Sequence, residues 1–178
     1  MCDDPAWFQC AGHPVCNRGL SARTARNLSI PACERGTKNP FAPTAEVLSE
    51  ARVHFADHCA ICHGNDGVGK TQIGQNLYPK APDMRLPPTQ NLTDGEIYYV
   101  VHNGVRLTGM PAWGGPGKDD DSWKLVLFIR HLPRMIPQEI KEMEQFNPKS
   151  DADRSEEEEE QHFLNEGKTP KTNRKMHH

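Results

Sequence analysis

The chain has 178 residues and a formal net charge of −3, with only 35% hydrophobic and 7% aromatic side chains. This length suits one domain with tails, and so polar a composition supports one small core flanked by weakly packed segments. The charge is too balanced for a nucleic-acid binder, and the longest strongly apolar run, Leu125 to Ile129, is far short of the roughly 20 residues of a membrane span.

Residues 1–43 hold Pro5, Pro14, Pro31, Pro40 and Pro43, four cysteines and no sustained apolar period. They read as an irregular arm or linker, and removing it up to Pro40 is expected to leave the domain's stability unchanged. A domain begins at Thr44, a helix-capping residue. Val47, Leu48, Ala51 and Phe55 then recur at helical spacing and predict a helix over 45–58. A glycine- and proline-rich stretch over 65–91 predicts a long loop, and long loops inside small domains are usually functional. Thr93 and Glu96 predict a capping box, Leu92 and Ile97 a hydrophobic staple, and Gly104 the end of the second helix. A third helix is expected from Asp121 or Ser122 to just before Pro133, with Trp123, Val126, Leu127 and Arg130 on one side. Pro137 opens a fourth, short helix to Phe146. The division is therefore 1–43 arm, 44–134 domain, 135–147 short helix and 148–178 tail. Residues 138–178 carry 7 basic and 11 acidic side chains, including the unbroken run Glu156 to Glu160. Such a run favours a solvated, disordered chain. No β-strand is predicted, so the fold class is all-α, a small helical shell whose long loops need something to wrap.

Cys59-Ala60-Ile61-Cys62-His63 supplies that something. C-x-x-C-H is the pattern for covalent attachment of a c-type haem, two thiols for two vinyl groups and an adjacent imidazole for the iron. A redox dithiol would follow a strand in a βαβ unit, and zinc would need a second ligand pair, for which His54 and His58 are the nearest candidates. A second axial ligand would make the haem an electron carrier, and an open position would make it a gas-binding or peroxidase-like centre. Met84, Met110 and Met135 are candidates. Met110 is favoured because Gly109 and Pro111 flank it and stiffen its loop. Tyr78, Tyr99, Leu107 and Trp113 are expected around the pocket, and Arg85 or Arg106 beside a haem propionate.

The run His58 to Gly69, then Leu92-Thr93-Asp94-Gly95-Glu96, Gly104 to Leu107 and Gly109-Met110-Pro111-Ala112-Trp113-Gly114 resembles the class I monohaem cytochromes c of bacteria. The resemblance covers about 45–134. It implies thioether links at Cys59 and Cys62, His63 as proximal and Met110 as distal ligand, one heme c, and first and last helices crossed through Ala51, Phe55, Trp123 and Leu127. It further implies one-electron transfer between redox partner proteins rather than enzymatic turnover, in the periplasm or on the outer side of the cytoplasmic membrane. Alternatives are a labile-ligand haem protein and a haem subunit of a larger oxidoreductase. Such proteins need an export signal or anchor, and the stretch 1–18 resembles neither. The acidic tail is expected to dock on basic partners. Cys2, Cys10, Cys16 and Cys33 lie outside the resemblance, as two disulfides, a zinc site with His13 or, as expected here, residues with no dedicated role.

Overall fold

The computed structural model describes residues 24, 26–149, 155, 159 and 162–164; Cys2, Cys10, Cys16 and most of the acidic tail lie outside them. Among the described residues every regular element is helical. In chain order these are α1 (Ala32–Arg35), α2 (Ala45–His54), a π-helical turn (Phe55–Cys59), α3 (Ala60–His63), α4 (Gln72–Asn76), α5 (Pro87–Gln90), α6 (Asp94–Asn103), α7 (Asp119–His131) and α8 (Pro137–Met143), with 3₁₀ turns at Leu132–Arg134 and Glu144–Phe146. The long loop expected over 65–91 thus contains two short helices.

Local chemistry explains the boundaries. Thr44 accepts a hydrogen bond from the Val47 amide and starts α2. Thr93 and Glu96 close a complete capping box at α6, so T93A is expected to cost about 1 kcal/mol in thermal unfolding. Helix α7 begins at Asp119, two or three residues before the expected start at Asp121 or Ser122. Asp119, Asp120 and Asp121 fill its first turn and Arg130 and His131 its last, both matched to the helix dipole.

The core forms where α2 crosses α7. Phe55 and Phe128 meet with ring centroids 5.1 Å apart, while Lys124 and Glu50 bridge the two helices at the surface (2.6 Å). Leu125, Val126, Phe128 and Ile129 are all at most 5% exposed, so α7 is buried over more than the single side expected from its pattern. Tyr98 of α6 stacks on Trp123, 4.1 Å between centroids, and donates to Asp119 (3.1 Å). Arg130 binds Asp94, the Gln90 carbonyl and the Leu92 carbonyl, fastening α7 to the start of α6. Helix α8 returns Met143 to the core at 0% exposure.

The end of the arm also packs on the domain. Ile30 is 2% exposed, Asn39 donates to the Trp123 carbonyl (2.8 Å), and Phe41 lies against the core. Helix α1 sits on α6 at Gly95, where a Cβ would collide with the Glu34 carbonyl. The arm's lack of periodicity concealed this, because single anchors at 30, 39 and 41 have no period. A chain beginning at residue 44 is therefore expected to lose about 2–4 kcal/mol of stability, the burial of one large apolar side chain plus a hydrogen bond. Thermal melts at matched haem content would measure it.

Candidate functional site

The helix that starts at Thr44 runs on through His63, beyond the expected end at His58. A π turn at Phe55–Cys59 inserts one wide turn, with the Ala60 amide donating to the Phe55 carbonyl. Helical π turns of this kind frequently occur at functional sites. This turn puts Phe55 and Ala56 in the core at 1% and 0% exposure and leaves Cys59 and Cys62 half-buried. The helix stops at Gly64, φ 74°, whose amide donates to the Ala60 carbonyl (2.8 Å).

The Cys62 and His63 carbonyls at the end of this motif are both taken. Thr71 Oγ1 donates to the Cys62 carbonyl (3.0 Å) and accepts from the Gly74 amide (2.9 Å). The Gly69 amide donates to the His63 carbonyl (2.7 Å). Gly74 lies so close to the Cys62 carbonyl that a side chain there would collide with it. The glycine-rich stretch after the motif is thus a bracket that holds the C-x-x-C-H turn in place.

Met110 is held from the other direction. Its amide donates to Thr108 Oγ1 (3.1 Å), which in turn donates to the Val105 carbonyl (2.7 Å). The Val105 amide donates to the Met110 carbonyl (3.0 Å). Leu77 is seated against Gly109. The chain also turns at Leu107, whose φ of 62° is left-handed and whose side chain is fully exposed.

These two brackets face one cavity of about 480 Å³. Cys59, Cys62, His63 and Met110 all line it, with Phe55, Ile97, Val101, Leu125 and Ile129 from the helices and Leu77 and Tyr78 from the loop. A void of this size in a packed domain is far larger than native cores leave empty. An apolar wall with few polar groups suits a flat, largely apolar macrocycle.

Burial pushes the Cys59 thiol up to about 12, with Cys62 adding to it. Burial also lowers the His63 pKa, opposed by the backbone of Pro82, and keeps the imidazole neutral with a lone pair available to a metal. His63 is 9% exposed, and its Nδ1 makes no hydrogen bond of full geometry. Among the described residues no three His, Cys, Asp or Glu side chains are grouped to hold a metal ion. The donors lining the cavity are the imidazoles of His58 and His63 and the thioether sulfurs of Met84 and Met110, and an imidazole with a thioether is a set suited to haem iron. The motif also follows a helix, whereas a redox dithiol of the thioredoxin type needs a strand there.

The expected pocket residues divide. Tyr78 and Trp113 line the cavity; Tyr99 and Leu107 do not. Met84 lines it but is also a core residue at 7% exposure, and Met135 packs on the core away from it. Neither Arg85 nor Arg106 reaches the wall. Arg85 is instead bound to Asp83 (2.9 Å), which holds the Asp83 carboxyl below its usual range. The sequence reading missed Arg26, Lys80 and Leu77, which do line the cavity. They come from non-periodic stretches, where spacing carries no signal.

The family described as cytochrome c oxidase, cbb3-type, subunit III matches residues 46–129. The cbb3-type cytochrome c oxidase subunit FixPc of Rhizobium leguminosarum bv. viciae is 33% identical over 92 residues, which is 51% of this chain and 30% of that protein. The matched stretch therefore spans less than a third of that relative's length. The all-helical fold, the cavity and the C-x-x-C-H motif agree with these matches, and residues 46–129 form a class I cytochrome c domain similar to the cbb3-type subunit III family.

Proposed function

We propose that this chain is a one-electron carrier with a single covalent haem, attached at Cys59 and Cys62 and ligated by His63 and Met110. The observation that carries this reading is one apolar cavity of about 480 Å³ lined by all four residues. Each attachment adds a thiol S–H across a vinyl group, forming a C–S bond and placing the proton on the other vinyl carbon, with no net oxidation. When bound, the haem iron supplies the redox chemistry. The chain's own part would be to shield the centre from water, to hold the His63 imidazole at a helix end and to hold the Met110 thioether in a fastened loop. Methionine opposite histidine raises the potential relative to other ligand pairs.

The reading puts the haem domain at 44–134 and its work in the periplasm or on the outer face of the cytoplasmic membrane, where its partners are other redox proteins. No helix among the described residues is long and apolar enough to cross a membrane. A second reading is favoured by the FixPc match, whose name is that of an oxidase subunit. On it, the same haem passes electrons inside a larger complex. The optical spectrum of the exported protein, oxidised and reduced, tests the haem. Co-purification with oxidase subunits from the native membrane would support the second reading, and recovery as a lone chain the first.

A further inference from the structure

We propose that His102 is a positioning residue for Met110: the packing of its ring seats the loop that follows Met110 on α6, and so sets how firmly the thioether stays on the iron. This inference rests on the reading of Met110 as the distal ligand. A ligand carried by a loop keeps its place at a metal only as well as the packing behind the loop allows. Two close approaches supply that packing. Gly104 follows α6 with φ 67°, and a Cβ there would collide with the backbone of Met110, Pro111 and Ala112. Gly114 lies directly against the His102 ring, which a Cβ at that position would overlap.

Between these two points the Trp113 amide donates to the Val101 carbonyl (3.1 Å) and the Gly114 amide to the His102 carbonyl (2.9 Å). The stretch from Met110 to Gly114 is thus laid along the end of α6. The His102 ring is braced in turn. It stacks on Tyr98, one turn earlier on α6, with centroids 5.1 Å apart and planes at 24°. Tyr98 stacks on Trp123 of α7 and donates to Asp119. His102 Nδ1 lies 3.5 Å from the same carboxylate but makes no hydrogen bond of full geometry, so the ring's work toward Gly114 is packing. A stack of rings rooted in α7 therefore backs the loop. His102 is not among the residues that line the cavity, so it acts through the Met110 loop and not on the haem.

In the full chain carrying haem, H102A leaves a gap beside Gly114. It is expected to weaken the far-red sulfur-to-iron band and to raise the affinity of the oxidised protein for cyanide several-fold, toward that of M110A. G114A pushes the loop off the ring from the other side and should do the same. H102F keeps a flat ring and should restore most of the native band and cyanide affinity. T93A loosens α6 at its far end and is the control for lost stability alone, with the band and cyanide affinity unchanged. Exchange of the Trp113 and Gly114 amide hydrogens should quicken in H102A and not in T93A. Native cyanide affinity in H102A and G114A, or an H102F protein as labile as H102A, would overturn the role of the His102 ring and leave Met110 as the ligand. A far-red band that survives in M110A would instead overturn the ligand reading on which the proposal rests.

Discussion

Replacing Cys59 and Cys62 together with alanine is expected to give a chain that neither retains haem in acidified organic solvent nor folds stably. The magnitude follows from the cavity. At about 24 cal/mol per Å³ of void, an unfilled volume of about 480 Å³ corresponds to a penalty on the order of 10 kcal/mol. That is comparable with the whole stability of a small domain, about 5–15 kcal/mol. Water entering through the open side reduces the penalty and also removes the apolar burial that holds α2, α6 and α7 together. Single replacements should keep one thioether and a folded, weaker holoprotein. Helical circular dichroism and a haem stain on a denaturing gel read out both effects. Full haem retention by the double variant would refute covalent attachment at this motif.

Replacing Met110 with alanine is expected to change the iron's environment while sparing the fold. The side chain sits on a loop fastened through Thr108 and Val105 backbone contacts, which the substitution leaves in place. The weak far-red sulfur-to-iron band of the oxidised protein should vanish, the potential should fall, and small ligands should bind the opened position. M84A separates stability from ligation. Met84 lines the same cavity but is 7% exposed and part of the core, so its loss should cost about 2–5 kcal/mol and leave the band intact. M135A should also leave it intact. Loss of the band in M84A alone would move the ligand to that residue. H63A should yield no stable holoprotein, since it removes the imidazole that directly follows the attachment cysteines.

The sequence by itself determined whatever depends on neighbours along the chain. The helix at Thr44, the capping box of Thr93 and Glu96, and the stop at Gly104 are set by residues three or four apart, and they stand where spacing puts them. The attachment motif was legible for the same reason, because two thiols and an imidazole within five residues are a local pattern. Tertiary structure alone decided the rest. The arm's anchors at Ile30, Asn39 and Phe41 act across the fold on α6, α7 and the core, and isolated contacts of that kind leave no period to detect. Leu107, read as a pocket residue, is instead fully exposed because a left-handed turn points the chain outward there. Arg85, read as a propionate partner, is held by Asp83 two residues away, while the arginine at the cavity comes from a segment some sixty residues earlier in the chain. The segment that carries this arginine leads into α1, which seats on Gly95 of α6, a contact between residues far apart in sequence.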